Sequence, residues 1–249
     1  MIEIENEEIV GWEAAIRGMR NPMNSWEKSD SGWFSSEDDM GVDYVQYNSH
    51  SDPSELYFIG QNDYDLMKRL RNAGTDHRKF MRMITVYVDV TAPLYWWKEF
   101  DTYKVGTVAN SCSTMHKIHA KEFTLEDFSY EHLLDGKGFK VSHEDNCTPD
   151  ESAFGFRLSG KELLKTTVNT LNYYRKVFLE TNNKKYWWQL IQLLPSSYNQ
   201  RRTVMLNYEV LANIYKSRRH HKLDEWHLFC DWIENLPYAE LITGKIEEN

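Results

Sequence analysis

The clearest pattern along the chain is a strict alternation of apolar and polar positions between Met83 and Val90. A period of two places successive side chains on opposite faces of an extended segment. The face that would be buried carries only branched aliphatic side chains: Ile84, Val86, Val88 and Val90. This stretch is therefore predicted to be a strand with one buried face.

Helix signals lie on both sides of this strand. Before it, Asn62-Asp63 offers an N-cap and Gly74 follows a basic run, which predicts one short helix between them. After it, Thr91-Ala92-Pro93 supplies a cap and an early-turn proline. A second helix is therefore expected through residues 94–100.

From Lys161 onward the spacing of apolar residues becomes helical. Successive helices are expected over residues 161–178, 187–194 and 226–233. A further helix is predicted where steps of three and four connect Val204, Asn207, Leu211, Ile214 and Arg218. A strand and helix region followed by a mostly helical half predicts an α+β fold.

Two segments follow neither period. Residues 1–55 are polar and acidic with isolated aromatic side chains, which predicts loops packed around the edge of the core. Residues 120–160 open with a capping box, Thr124 with Asp127, and continue through polar stretches that contain Gly, Asn and Pro. We expect a single domain of 249 residues in which the second segment is an insertion.

Composition narrows the class of protein. Apolar residues make up 41% of the chain and aromatic residues 14%, including 9 Trp, so a globular protein is expected. The net charge of -9 has the wrong sign for a protein that coats nucleic acid. No apolar run approaches the length of a membrane span, and the acidic start lacks a signal peptide pattern, so a cytoplasmic protein is expected.

Common catalytic and binding motifs are missing from the sequence. There is no G-x-S-x-G elbow, no glycine-rich phosphate loop and no H-E-x-x-H, and His116-x-x-His119 is more simply a pair of surface histidines. The three cysteines include no C-x-x-C, which favours reduced thiols over a disulfide or zinc site. No metal is expected.

Two polar residues on an otherwise apolar helical stripe stand out. Asn207 and Arg218 are eleven positions apart, about three helical turns, and so would share one face. Burying the charge of Arg218 without an answering group would be costly. The group could be a ligand, a helix end or a carboxylate such as Glu225, and the residues alone favour the structural answers.

Two stretches of the chain resemble the flavin-dependent thymidylate synthases. Residues 85–112 are similar to that family's strand, its Ala-Pro-led helix and its signature R-H-R-x-x-S-x-N-E-x-S. The sequence Leu194-Pro195, followed by Asn207, Asn213 and Arg218, is similar to the family's L-P and a later helix with N-x-x-x-x-x-N and a terminal Arg. The resemblance covers residues 62–118 and 186–235. It implies a ThyX-like α+β fold with a small antiparallel sheet and a predominantly helical C-terminal half.

The resemblance also implies roles for individual residues. FAD contacts would fall on His77, Lys104, Thr107, Asn207 and Asn213. Nucleotide contacts would fall on Glu99, Asn110, Cys112 and Arg218, with Arg218 also at the catalytic position. The family's R-H-R falls on Thr102-Tyr103-Lys104, and its base-contacting Gln falls on Glu99, so most of its positive charge is replaced here.

The function implied by the resemblance is reductive methylation of dUMP to dTMP. In that chemistry FAD carries hydride, methylenetetrahydrofolate supplies the one-carbon unit and NADPH reduces the flavin, while the protein supplies placement and polarisation. The resemblance further implies a homotetramer with sites between subunits, with neither a nucleic acid nor a membrane as partner. The alternative is a protein of the same fold that has lost catalysis and works as a binding or interaction module. Thr102-Tyr103-Lys104 in place of R-H-R favours this alternative.

Overall fold

The computed structural model describes residues 1–35, 44–47, 55–135 and 158–244. Within these ranges the chain forms seven strands and eight α-helices. The strands are β1 (Glu3–Val10), β2 (Gly32–Ser35), β3 (Tyr44–Tyr47), β4 (Glu55–Phe58), β5 (Thr85–Pro93), β6 (Val108–Ser111) and β7 (Asn199–Asn207). The helices are α1 (Trp12–Arg20), α2 (Gln61–Asn72), α3 (Leu94–Phe100), α4 (Gly160–Thr181), α5 (Lys184–Leu193), α6 (Tyr208–Arg218), α7 (Asp224–Glu234) and α8 (Glu240–Thr243).

The larger sheet has four strands in the order β1-β5-β7-β6, and β1 with β5 and β6 with β7 pair in antiparallel fashion. The predicted strand is β5, and its alternation matches its burial, because Val86, Val88 and Val90 are almost completely buried. A second antiparallel sheet has the order β2-β4-β3. The predicted α+β class with a small antiparallel sheet is confirmed.

The described chain divides into two compact units. The sheet unit consists of residues 2–91, 98–111 and 201–249, and the helical-hairpin unit consists of Met1 and residues 92–97 and 112–200. In the helical-hairpin unit, α4 begins with a capping box in which Ser159 Oγ accepts from the Glu162 N–H. Helices α4 and α5 pack together over a core formed by Ile118, Phe123, Phe128, Leu164, Val168, Leu171 and Leu190.

The core of the sheet unit is rich in aromatic side chains. Trp12 of α1 meets Tyr208 of α6 edge to face, with 5.2 Å between ring centroids. The Tyr208 hydroxyl donates to the Pro237 carbonyl at 2.7 Å, so this enclosed polar group is satisfied. Cys230 of α7 is also fully buried, and burial raises the pKa of its thiol to about 11.

The prediction of loops at residues 1–55 is wrong for the start of the chain, which forms β1 and α1. Acidic side chains cover the exposed face of β1 and hide its alternation. Helix α1 does show a helical period, since its buried side chains are Trp12, Ala15, Ile16, Met19 and Arg20. Residues 36–43 and 48–54 of this segment lie outside the described residues, as do residues 136–157 of the expected insertion. The capping box of Thr124 and Asp127 is confirmed, at a short 3-10 helix.

The prediction of one helix over residues 204–218 is also wrong in its first turn. Residues 199–207 form β7, and α6 begins at Tyr208. Val204 and Leu206 are both completely buried with a period of two, and the helical period starts only after Asn207. Asn207 is therefore the N-cap of α6, and it does not share a helical face with Arg218. No helix in the described residues is both long and apolar enough to span a membrane.

Candidate functional site

The charged side chains predicted to contact the nucleotide meet in the sheet unit. Arg218 lies at the last turn of α6, and Glu99 lies near the end of α3. Arg218 Nη1 donates to Glu99 Oε2 at 2.7 Å, and Arg218 Nε donates to the Tyr103 hydroxyl at 3.0 Å. Because both bonds use different edges of the guanidinium, the plane of Arg218 is fixed.

Two side chains beyond α6 complete this cluster. Trp226 Nε1 donates to the same oxygen, Glu99 Oε2, at 2.9 Å, and His221 Nε2 lies 3.3 Å from it. The Arg218 guanidinium carbon lies 4.8 Å from the centre of the Trp226 ring, within cation-π range. The Arg218 side chain is 17% exposed and that of Glu99 is 34% exposed, so the cluster is reachable from solvent.

In the structure a carboxylate pairs with Arg218, which is one of the structural alternatives that the sequence favours over a ligand. The carboxylate is Glu99, which lies 119 positions away along the chain. An anionic ligand that approaches Arg218 meets the negative charge of Glu99 beside the guanidinium, although Nη2 makes no hydrogen bond within the described residues. The cluster should therefore bind an anion more tightly when Glu99 moves or is neutralised.

Asn207 has its two amide atoms in different roles. Its Oδ1 accepts from the Val210 N–H at 3.1 Å and caps α6, while its Nδ2 makes no hydrogen bond within the described residues. Gly106 closely approaches this Nδ2, since a Cβ built on Gly106 would lie only 2.9 Å from it. Gly106 also has a φ of +76°, which favours glycine.

Thr107 follows Gly106 and carries an unpaired hydroxyl. Its Oγ1 is enclosed and has no hydrogen-bond partner among the described residues, which is a costly condition for a polar atom. The edge of a flavin ring presents carbonyl oxygens and ring nitrogens that accept hydrogen bonds from amide and hydroxyl groups. Asn207 Nδ2 and Thr107 Oγ1, both beside Gly106, are thus chemically suited to that edge.

The remaining predicted flavin contacts lie on the surface. His77 is exposed, and its neighbour Arg78 donates through Nη2 to Asn213 Oδ1 at 3.4 Å, which links the two positions. Lys104 is exposed and is the only cation of the predicted flavin set that could meet a pyrophosphate. A single ammonium binds a phosphate as a point charge, without the paired bonds of a guanidinium.

Glu209 lies in the first turn of α6 and binds Arg78, the side chain that contacts the predicted flavin residue Asn213. Both Arg78 and Arg82 form ion pairs with this carboxylate. Burial alone would raise the pKa of Glu209, but the hydrogen bonds and charges of Arg82 and Arg78 outweigh burial and lower it. Glu209 therefore remains ionised and fixes Arg78, which in turn positions Asn213.

The other two predicted nucleotide contacts are Asn110 and Cys112. Asn110 is exposed in β6 and pairs with Thr203 of β7 in the sheet register. Cys112 is an exposed free thiol that belongs to the helical-hairpin unit, where Gln200 Nε2 donates to its carbonyl at 2.7 Å. Among the described residues, no group of three or more His, Cys, Asp or Glu side chains could hold a metal ion.

Sequence reasoning did not assign Tyr103, His221 or Trp226 to the site. Tyr103 was read only as a replacement within R-H-R, and Trp226 follows the apolar period of α7, so each had a simpler explanation. No pattern in the sequence joins α3 to α7. Trp226 and His221 each place a ring nitrogen near Glu99, and Tyr103 places its hydroxyl oxygen near Arg218. These contacts are recognisable only once the fold is known.

Comparisons with known proteins agree with this geometry at the level of fold. No protein-family model matches the chain, and no curated protein matches it by sequence. Its fold is nevertheless that of the flavin-dependent thymidylate synthases. One similar structure is thymidylate synthase X (ThyX) from Helicobacter pylori with FAD and dUMP, which is 16% identical over 98% of each chain, with a TM-score of 0.61.

A second structure of ThyX from Helicobacter pylori, also complexed with FAD and dUMP, gives the same result. It is 15% identical over 98% of this chain and 100% of that one, with a TM-score of 0.60. At this identity the similarity establishes the fold, because one fold supports many activities. What this chain binds must be argued from its own residues.

Proposed function

We propose that this chain is a divergent flavin-dependent thymidylate synthase-like protein that binds FAD and a dUMP-like nucleotide in its sheet unit. The observation that carries the proposal is similarity over the whole length of the chain to two ThyX structures that contain both ligands. Asn207 Nδ2 and the Thr107 hydroxyl would hold the edge of the flavin, and Arg218 would hold the anionic end of the nucleotide.

The finer proposal is the conversion of dUMP to dTMP. When bound, FAD would supply hydride, with methylenetetrahydrofolate as one-carbon donor and NADPH as reductant. The chain's own contribution would be placement, because Tyr103 and Trp226 fix the guanidinium of Arg218 before a ligand arrives. We further propose that the protein is cytoplasmic and that its nucleotide and flavin sites form within a homotetramer.

A second candidate function is binding without catalysis. The ion pair between Glu99 and Arg218 favours it, because the carboxylate already neutralises the cation that a nucleotide phosphate would use. Lys104 in place of a guanidinium favours it as well, since each lost charge-assisted bond weakens binding by about 1.5–3 kcal/mol.

The flavin assignment is tested with two substitutions of Asn207. Asn207→Ala removes both the helix cap and the free amide donor, whereas Asn207→Asp keeps an oxygen acceptor for the cap and removes the donor. Titration of FAD, followed by absorbance, should show weaker binding in both variants. Asn183→Ala, which removes the N-cap of α5, is the matched control and should bind FAD as the wild type does.

Each outcome of this titration bears on the proposal. Loss of affinity in Asn207→Asp would assign the donor to the flavin, while equal affinity in all four proteins would exclude that role. If FAD binds, incubation with dUMP, methylenetetrahydrofolate and NADPH then separates the two candidate functions. Formation of dTMP supports the enzyme, and FAD binding without dTMP supports the binding protein.

A further inference from the structure

A cleft beside α2 in the sheet unit has the opposite charge to the chain as a whole. Its volume is about 770 Å³, and four of its seven lining residues are cations, against one carboxylate. The net charge of the complete chain is -9, so such a concentration of positive charge is not a property of its average surface. Its size lies within the range of small-molecule sites.

One face of α2 forms the wall of this cleft. Asn62, Asp65, Arg69 and Asn72 line it and follow one another at steps of three, four and three, which places them in one row along the helix. This row gives the cleft two amides and a guanidinium, which together offer many N–H donors. The helix N-terminus makes no contribution, because Asp30 already accepts from the Asn62 and Asp63 N–H groups.

The opposite wall is held in place by a buried ion pair. Arg20 Nε donates to Asp63 Oδ1 of α2 at 2.6 Å, and Arg20 Nη2 donates to the Lys28 carbonyl at 3.0 Å. Asp63 is completely buried and Arg20 is 4% exposed, so this link is shielded from water. Lys28 is thereby fixed relative to α2 without using its own ammonium group, and the cleft is preorganised.

Two of the four cations form no ion pair with a carboxylate in the described part of the chain, although the Asp65 charge also acts on Arg69. Arg20 is paired with Asp63, and Lys68 is paired with Asp65 at 2.9 Å. Arg69 and Lys28 are exposed, and neither forms an ion pair with a carboxylate in the described part of the chain. Within the described residues, subtracting the Asp63 and Asp65 charges from the four cations leaves a charge of +2 at the cleft.

We infer that this cleft is a binding site for a ligand with two or more phosphate groups, separate from the proposed nucleotide and flavin site. Arg69 and Lys28, which form no ion pair within the described residues, match a multiply charged anion, and the forked guanidinium of Arg69 suits adjacent phosphate oxygens. Asn62 and Asn72 extend the row of donors at either end. A monovalent anion would leave part of this charge and most of the volume unused.

The probe is inorganic tripolyphosphate, titrated into the full-length protein by calorimetry. We expect saturable binding of one anion per chain that weakens about tenfold in Arg69→Ala and in Lys28→Ala, and that declines with added salt. Arg69→Lys should retain part of the affinity, because it keeps the charge and loses the fork. Lys176→Ala, an exposed cation on α4, is the matched control and should bind like the wild type.

Thermal unfolding of every variant checks that the fold is retained, which is expected because Arg69 and Lys28 are exposed. Equal affinity in wild type, Arg69→Ala and Lys28→Ala, or an equal loss in Lys176→Ala, would overturn the inference, as would the absence of binding at millimolar tripolyphosphate. The flavin proposal is tested by FAD titration of the Asn207 variants, and this inference is tested by tripolyphosphate titration of the Arg69 and Lys28 variants. Failure of one is therefore distinguishable from failure of the other.

Discussion

At the scale of single residues, Glu99 determines the charge balance of the candidate site. One of its carboxylate oxygens accepts hydrogen bonds from Arg218 and Trp226 and lies near His221. A carboxylate only accepts hydrogen bonds, whereas a glutamine at the same position would also donate. The identity of this residue therefore decides whether Arg218 is paired within the chain or is available to an anion.

The first prediction concerns the strength of this pair. Both side chains are partly exposed, so its contribution should lie between that of a surface pair and that of a buried pair, at about 1–2 kcal/mol. Glu99→Ala and Arg218→Ala should each lower the free energy of unfolding by this amount. The double variant should be more stable than the sum of the two losses predicts. Fully additive losses in urea unfolding would show that the pair contributes nothing.

The second prediction concerns the release of Arg218. Glu99→Gln removes the competing charge while keeping the shape of the side chain, so dUMP should bind about tenfold more tightly, equivalent to about 1.4 kcal/mol. Asp101→Asn is the matched control, because Asp101 is an exposed carboxylate that pairs with Arg202. Unchanged affinity in Glu99→Gln would contradict a nucleotide role for Arg218.

At this scale the candidate residues could be predicted from the sequence, whereas their partners could not. Arg218 could be recognised as a charge that needed an answer, because it ends an apolar stripe. Glu99 could not be recognised as that answer, since it is distant along the chain and Glu225 is much closer to Arg218. Likewise, Asn207 caps α6 through its oxygen and keeps its amide N–H groups free of hydrogen bonds within the described residues. This division of roles is visible only because the structure shows that β7 ends at Asn207.

At the scale of elements, the ion pair between Arg20 and Asp63 joins α1 to α2. Asp63 accepts further hydrogen bonds from Ser29 and from the backbone and hydroxyl of Ser31. Burial tends to raise the pKa of Asp63, but these hydrogen bonds and those of Arg20 lower it. The chain segment after α1 is thus tied to α2 through one carboxylate.

The third prediction follows from the sign of this pKa shift. A lowered pKa in the folded state contributes stability above the unfolded value of about 3.9, and this contribution is lost as the pH falls through the folded value. Melting temperature should therefore fall steeply below about pH 4. Asp63→Asn should lose about 3–5 kcal/mol at pH 7, because the charge of Arg20 stays buried without a carboxylate, and should show a weaker acid dependence.

Asp65→Asn is the control for this measurement. Asp65 lies two positions further along α2 and is exposed, with Lys68 as its partner. An exposed pair contributes at most about 1 kcal/mol, so this variant should remain close to the wild type at pH 7. Comparable losses in both variants would mean that burial of Asp63 does not matter for stability.

Elements with one strong period were predictable, and elements that combine two periods were not. Strand β5 and helix α4 each keep a single repeat throughout their length, so local pattern and burial agree. Strand β7 passes directly into α6 without a turn, and Val204 and Asn207 fall by chance on the steps of three and four that continue into α6. The sequence pattern does not predict strand β1, because its exposed acidic residues outnumber its partly buried apolar residues.

At the scale of the whole molecule, large apolar side chains remain exposed on α4 of the helical-hairpin unit. Leu163 is 56% exposed, Tyr173 61% and Leu179 53%. A soluble monomer rarely leaves several large apolar side chains exposed along one helix. This supports the proposed association of identical chains, although four of the nine tryptophans, Trp12, Trp96, Trp97 and Trp226, are fully buried within the chain.

The fourth prediction tests this association. Light scattering at micromolar concentration should give four times the chain mass of 29.6 kDa. Leu179→Glu should reduce the assembly, because it places a charge at an exposed apolar position of α4. Lys176→Glu, at an exposed polar position of the same helix, should leave the mass unchanged. A wild-type monomer would exclude both the tetramer and sites shared between subunits.

The rate at which the buried thiol of Cys230 reacts with a reagent should report how often α7 opens to solvent. The thiolate is the form that attacks thiol reagents, so a pKa of about 11 and complete burial protect this residue while α7 stays packed. In a Cys147→Ser variant, exposed Cys112 should react at once and Cys230 slowly. Equal labelling rates for Cys112 and Cys230 would show that the packing of α7 does not protect Cys230. Because Trp226 on the same helix contacts Glu99 and Arg218, a ligand bound there should slow the second reaction, and labelling kinetics would then detect occupancy without any assay of catalysis.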